Sequence, residues 1–188
     1  MLKFILIILD GFGLRNEIEG NAVAQANTPN LDRMLSECPV SSIETSGKFV
    51  GLPDGVMGNS EVGHMNMGAG RIVKQDLVRI NDAIQSDVLR NNSKLQDTFD
   101  HVKNNAGTLH ITGLVSDGGV HSHLDHFKYI LQRARVCNVN KVALHAITDG
   151  RDTSPSSGID YVEQLESYIK DDVNFHLATV CGRYYAMD

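Results

Sequence analysis

Thr108-Leu109-His110-Ile111-Thr112-Gly113-Leu114-Val115, followed at once by Ser116-Asp117-Gly118-Gly119, is the stretch whose reading decides the fold. The first eight residues are mostly apolar or β-branched and of strand length. The next four are polar and glycine-rich, as in a loop leaving a strand. A helical pattern over residues 124–137 comes next, and then a second strand pattern over residues 141–147. That strand runs into Thr148-Asp149-Gly150-Arg151-Asp152. Ser154-Pro155 opens another helix reaching residue 170, and a third strand over 174–180 ends at Cys181-Gly182-Arg183. Strands alternating with helices predict an α/β class, with mostly parallel sheets and helices on both faces. In such sheets ligands bind beyond the carboxyl ends of the strands, where these polar loops fall.

Upstream of this region the pattern is less regular. Residues 4–9, Phe-Ile-Leu-Ile-Ile-Leu, form an apolar run of strand length that ends at Asp10-Gly11 and predict a strand buried on both faces. The run is too short for a membrane span and has no cleavage site of the secretory kind after it. Thr28-Pro29 opens a helix to residue 37, with Thr28 as its cap. Residues 40–45 are a weaker strand candidate. Residues 47–70 contain seven glycines and predict a long loop or loop-rich turn region. Helical periodicity returns over residues 75–89, and Ser93 is the candidate cap of a second helix running to residue 103.

The chain has 188 residues, of which 41% are hydrophobic and 21% charged, and its formal net charge is -6. This composition is that of a globular protein and argues against a general nucleic-acid or anionic-membrane surface, which needs a basic face. Three cysteines, Cys38, Cys137 and Cys181, are widely spaced, so neither a disulfide framework nor a thiolate zinc site is predicted. Their usage is that of a reduced, cytoplasmic compartment.

Two nucleotide motifs fail on inspection. Gly11-Phe12-Gly13 has Asn16 in the place of the third glycine of a dinucleotide fingerprint. Gly47-Lys48 is followed by Phe49, where a P-loop needs Ser or Thr. Asp10, directly after an apolar strand, is either a turn-capping aspartate or a cation ligand. Ser60, in Met57-Gly58-Asn59-Ser60-Glu61-Val62-Gly63-His64, is either an N-cap or a nucleophile at a helix start, a place that suits phosphate. Activation of that serine falls either to His64 or to a bound divalent cation. Of His121, His123 and His126, one functional histidine is expected, with the others capping or solvated. Arg151 and Arg183, behind strand-end glycines, suit the clamping of phosphate or carboxylate, and the adjacent carboxylate of Asp152 can accept a substrate hydroxyl.

Together these segments closely resemble the cofactor-independent phosphoglycerate mutase family of the alkaline phosphatase-like superfamily. The matching stretches are Leu9-Asp10-Gly11-Phe12-Gly13, Asn21-Ala22, Thr28-Pro29-Asn30, Gly51-Leu52-Pro53, the block from Met57 to His64, the loop from Ser116 to His123, Asp149-Gly150-Arg151-Asp152 and Gly182-Arg183-Tyr184-Tyr185-Ala186-Met187-Asp188. They occur in the family's order along the whole chain.

The resemblance implies an isomerase interconverting 3-phosphoglycerate and 2-phosphoglycerate in glycolysis through a phosphoserine. It implies two manganese ions or related divalent cations, and no 2,3-bisphosphoglycerate. Ser60 corresponds to the nucleophile, Asp10 and Ser60 to metal ligands, and His121, Arg151, Asp152 and Arg183 to substrate-binding positions. Residues 1–74 correspond to a first segment of the phosphatase-like domain, and 75–188 to a first part of the inserted transferase-like domain, both incomplete. The remaining metal ligands of the family lie further along its chain, so these 188 residues alone are expected to be inactive. A small-molecule substrate, a monomeric complete protein, and no nucleic-acid or membrane partner are implied. Two other readings compete: a metal-dependent phosphomonoester hydrolase of the same superfamily, and a non-catalytic fragment. The hydrolase has no need of the His121, Arg151, Asp152 and Arg183 set.

Overall fold

The structure, a computed structural model, describes residues 3–188. The chain divides into two compact units, Met1–Gln75 and Asp76–Asp188.

Helices and loops make up the first unit. Helix α1 (Ala22–Gln25) starts at Asn21, whose side-chain oxygen accepts from the Ala24 N–H. Pro29 opens α2 (Pro29–Glu37), its fixed φ and missing N–H both suited to a first helical turn. Thr28 makes no capping bond to the backbone; its hydroxyl donates instead to Asp32 Oδ1 at 2.9 Å. A 3-10 turn at Gly47–Val50 precedes α3 (Ser60–Ala69).

Three expectations for this unit are corrected. Residues 4–9 form no strand, and Phe4, Ile5, Leu6 and Ile7 are 75–89% exposed. Residues 40–45 form none either. A strand exists through the ladder its neighbours complete, and no described residue of this unit offers one; apolarity alone does not make a sheet. The stretch 47–70 is not loop throughout, since α3 occupies its second half. Asn59 caps that helix by accepting from the Val62 N–H at 3.0 Å, and Gly70 ends it in the left-handed conformation at φ 62°. Ser60 is therefore the first residue of the helix and not its cap.

The second unit is built around the sheet. Helix α4 (Asp76–Gln85) is followed by a 3-10 turn at Val88–Asn91 and by α5 (Ser93–Asn104). Asp87, at φ 57°, ends the helical path that periodicity carried to residue 89. Asn92, not Ser93, caps α5 by accepting from the Leu95 N–H. Then come β1 (Leu109–Leu114), α6 (Leu124–Val136), β2 (Val142–Thr148), α7 (Gly158–Ile169), β3 (Phe175–Gly182) and the single turn α8 (Arg183–Ala186). The strands pair in parallel in the order β1-β2-β3, with Leu109 opposite Val142 and Val142 opposite Phe175. A bulge between Leu144 and His145 shifts the second register. The predicted α/β class and parallel sheet hold.

One face of the sheet carries the core. Leu109, Val142, Leu144 and Ala146 meet Leu124, Phe127, Leu131 and Ala134 of α6, Leu165 and Ile169 of α7, and Phe99 of α5. The spacing of the α6 residues by three and four places them on one stripe, which forces the helix against the strands. Expected cover on both faces is met on this one. The opposite face carries His110 and Thr112, both exposed, and His145, which is half-buried; His110 Nδ1 lies 2.9 Å from His145 Nε2. Among the described residues no helix is long and apolar enough to cross a membrane.

Candidate functional site

In the first unit, Ser60 at the start of α3 donates its hydroxyl to Asp10 Oδ2 at 2.7 Å. Both residues are exposed. The serine reaches this position because the chain just before it is closely seated. A Cβ at Gly58 would stand 1.9 Å from the Thr45 carbonyl oxygen, so only glycine lets the two backbones approach there. The Asn59 cap takes the Val62 N–H and leaves those of Ser60 and Glu61 facing outward with the positive end of the helix, an arrangement suited to a phosphate group.

His64, one turn further on, has Nδ1 3.2 Å from Ser60 Oγ and 2.8 Å from the Ser60 carbonyl oxygen. A carbonyl can only accept, so the shorter contact assigns the proton to Nδ1. That nitrogen then has no lone pair with which to receive the serine proton. Of the two activators left open by the sequence, the geometry disfavours His64.

Asp10 Oδ2 and Ser60 Oγ are hard oxygen donors converging from two segments, as a partial ligand pair for a divalent cation requires. Among the described residues no group of three or more His, Cys, Asp or Glu side chains gathers to complete such a site. The pair fits as part of a centre and not as a whole one.

In the second unit, the predicted binding residues fall at consecutive strand ends: His121 after β1, Arg151 and Asp152 after β2, and Arg183 at the end of β3. They differ in depth. Arg151 and His121 are exposed, their side chains 70% and 48% accessible, and His121 Nε2 lies 4.0 Å from Asp152 Oδ2. Arg183 is buried beneath them. Its Nη1 donates to Asp149 Oδ1 at 2.9 Å and Asp152 Oδ2 at 2.8 Å, while Nε and Nη2 hold the two oxygens of Asp188. The Asp188 carboxylate, followed by those of Asp152 and Asp149, raises the Arg183 pKa above its ordinary value, and Arg183 in turn lowers that of Asp188.

Residue-by-residue reading missed Asp149 and Ser116. The Asp149 side chain is 2% exposed, and Ser116 is buried with its hydroxyl donating to Asp149 Oδ2 at 2.8 Å. Asp149 Oδ1 also accepts from the N–H groups of Arg151 at 3.1 Å and Asp152 at 3.0 Å. Burial opposes ionisation of Asp149, but the Asp152 amide, Arg183, the Arg151 amide and Ser116 outweigh it and hold the pKa at about 2. The sequence does carry a signal for Asp149, since Asp149-Gly150 closes a strand pattern just as Asp10-Gly11 closes the apolar run. Of the other two histidines, His123 caps as expected, whereas His126 is neither capping nor solvated but half-buried against α4. His123 Nδ1 accepts from the Asp125 N–H at the start of α6, and His126 Nε2 pairs with Asn81 Oδ1 at 2.8 Å.

A parallel sheet with helices packed on it, whose strand ends assemble His, Arg and Asp side chains, defines a protein of the α/β class; the chain's other unit carries a serine-carboxylate pair. The chain belongs to the family described as BPG-independent PGAM N-terminus, which matches residues 80–188. Curated relatives named 2,3-bisphosphoglycerate-independent phosphoglycerate mutase cover nearly all of it. The protein from Clostridioides difficile is 52% identical over 97% of this chain and 36% of its own length, and that from Myxococcus xanthus 52% identical over 99% and 36%. Among solved structures, Leishmania mexicana phosphoglycerate mutase at low cobalt concentration matches with a TM-score of 0.71 and 32% identity. That match covers 96% of this chain and 34% of the Leishmania chain. The chain thus spans about a third of the length of the relatives it matches.

Proposed function

We propose that this chain supplies the nucleophile and part of the substrate clamp of a mutase interconverting 3-phosphoglycerate and 2-phosphoglycerate in glycolysis, through a phosphoserine at Ser60. The observation that carries the reading is the 2.7 Å pairing of Ser60 with Asp10 at a helix start, in a chain whose relatives bear that mutase name. The Ser60 hydroxyl hydrogen points at Asp10, which leaves the Oγ lone pairs for phosphorus. Attack forms the Oγ–P bond and breaks the bond to one glycerate oxygen; the Oγ proton passes to Asp10 and from there to the departing glycerate oxygen, which becomes a hydroxyl. Return of the phosphoryl group to the neighbouring glycerate hydroxyl restores Ser60. The outward N–H groups of Ser60 and Glu61 receive the phosphate oxygens.

Asp10 and Ser60 would hold one of two divalent ions, manganese in this reading, which lowers the hydroxyl pKa and neutralises charge on the transferring group. No 2,3-bisphosphoglycerate is required. His121 and Arg151, being exposed, meet the anionic substrate first; Arg151 clamps phosphate or carboxylate through its planar fork. Asp152 accepts from a glycerate hydroxyl. An anion that engages Arg183 through Nε and Nη2 displaces the Asp188 carboxylate from that fork. Within the same reading, residues 1–74 are a first segment of a phosphatase-like domain and 75–188 a first part of a transferase-like one. In this reading the complete protein is a cytoplasmic monomer; the three unpaired thiols of this chain suit a reducing compartment.

The test is to incubate the complete gene product with 3-phosphoglycerate, with and without manganese, and to follow 2-phosphoglycerate and free phosphate. Metal-dependent formation of 2-phosphoglycerate supports the reading. Net release of free phosphate with no isomer identifies a hydrolase instead and sinks it.

A further inference from the structure

We propose that Asp149 is the positioning residue of the strand-end edge: its buried carboxylate fixes Arg151, Asp152 and Arg183 in one arrangement and ties them, through Ser116, to the neighbouring strand end. The inference rests on the reading of that edge as the phosphoglycerate clamp.

Four partners converge on this one side chain. Oδ1 accepts from Arg151 N–H, Asp152 N–H and Arg183 Nη1, and Oδ2 accepts from Ser116 Oγ. The two amides fold the chain after β2 back over Asp149, so the backbone position from which the exposed Arg151 side chain departs is set by this carboxylate. The guanidinium of Arg183 rises from the end of β3 and the Ser116 hydroxyl from the end of β1, so three strand ends share one acceptor group. Gly118 permits the closeness of the loops: a Cβ there would stand 3.1 Å from Asp152 Cβ and 3.2 Å from its carbonyl oxygen. Asp149 touches no solvent-facing anion itself, since its side chain is 2% exposed. It acts through residues that do. A clamp assembled before substrate arrives loses little freedom on binding, and a displacement of one ångström weakens it severely.

Asn is nearly isosteric with Asp but is neutral, and one of its two polar atoms is a donor. Asp149→Asn therefore keeps the volume while losing the charge and part of the accepting capacity. In the complete gene product, this variant is expected to raise KM for 3-phosphoglycerate at least tenfold with kcat changed less than threefold. Ser116→Ala, which removes only the Oδ2 partner, raises it two- to fivefold. A purely structural role gives a different pattern: a partly unfolded population lowers the apparent kcat and leaves KM alone. An unchanged KM in Asp149→Asn therefore overturns the proposal, whatever happens to thermal stability.

Failure of the underlying reading shows separately, as a wild-type protein without mutase turnover. Titration with 3-phosphoglycerate, followed by isothermal calorimetry, then decides. Wild-type binding weakened tenfold by Asp149→Asn keeps the positioning role without the enzyme, and absence of wild-type binding ends it.

Discussion

Ser60 Oγ donates to Asp10 Oδ2 across 50 residues of sequence, at 2.7 Å, while His64, only four residues away, turns its protonated nitrogen toward the Ser60 carbonyl. The distant residue is thus the acceptor for the serine hydroxyl, and the near one is tied to the backbone of its own helix.

Three substitutions in the complete gene product separate these roles. Ser60→Ala removes the oxygen that forms the bond to phosphorus, so phosphoryl transfer falls below detection. Asp10→Asn retains the shape but not the charge and lowers kcat by roughly 10²-fold or more, the scale of one lost electrostatic partner at a reacting group. His64→Ala changes kcat by less than about tenfold, below the usual worth of a general base. All three residues are exposed, so melting temperatures stay near the wild-type value. A loss in His64→Ala as deep as that in Ser60→Ala would restore the histidine as base.

Arg135 on α6 grips Asp172, beyond the end of α7, through Nε at 3.1 and 3.0 Å and Nη2 at 2.5 Å, and donates to the Tyr168 carbonyl. Its guanidinium also stacks 4.5 Å over the Tyr168 ring. Lysine keeps the charge but has neither the fork nor the flat face. Both side chains are 22–30% exposed, which places the pair between a surface bridge and a buried one. Arg135→Lys is expected to cost about 1–2 kcal/mol in urea unfolding. A change under about 0.3 kcal/mol would show that the pair only decorates the surface.

Leu131 is fully buried in α6 at the centre of the core that supports the sheet. Leu131→Ala removes packed methyl groups and leaves a cavity, a loss of about 2–5 kcal/mol. The unfolding midpoint of the second unit, read from far-ultraviolet circular dichroism, falls accordingly. A shift as small as that of an exposed leucine contradicts the core assignment.

The parts legible in the sequence and the parts that were not differ in what holds them together. The alternation around β1, β2 and β3 is local in pattern, and each strand finds its partner after one helix, so periodicity sufficed there. Residues 4–9 carry a stronger apolar run than β1 does, yet they form no strand, because the ladder depends on neighbours that no local pattern encodes. Helix α3 hid behind its glycines: Gly63 and Gly68 lower helix propensity, while the stop and start signals at Gly70 and Asn59 decide the matter. At the site, exposed charges such as Arg151 were easy to single out. The depth of Arg183 and the convergence on Asp149 were not, since both arise where three strand ends meet, and that meeting is a tertiary fact.

Gly58 offers a test of how the serine is seated. Replacement by alanine drives Cβ into the Thr45 carbonyl at 1.9 Å, a contact with backbone on both sides that no side-chain rotation relieves. One of the two segments has to move. Gly58→Ala is expected to lower kcat at least tenfold by displacing Ser60 from Asp10, while the melting of the second unit is unchanged. Full activity in this variant would show that the approach of the Thr45 and Gly58 backbones is not needed to seat the serine.

Acid stability separates two groups in the second unit by the direction of their shifts. Desolvation, reinforced by nearby His123, lowers the pKa of half-buried His126 below its ordinary 6.5. Between that value and its lower folded one, the unfolded chain binds more protons than the folded chain. Stability contributed by the neutral imidazole is therefore complete above about pH 6.5 and is lost as pH falls below it. Asp149 is depressed from 3.8 to about 2, so its contribution is complete above pH 3.8 and drains away as pH falls toward 2. Urea midpoints measured from pH 8 to pH 2 are thus expected to decline in two windows. His126→Gln should flatten the upper decline alone. Asp149→Asn should make the lower one shallower without abolishing it, since Asp188 and Asp100 are also held below the usual carboxylate value. That change follows an initial loss of stability at neutral pH from leaving Arg183 short of a carboxylate. An upper decline that survives in His126→Gln assigns that window to another histidine, and a lower decline as steep in Asp149→Asn as in the wild type removes Asp149 as an acid-sensitive member of the edge.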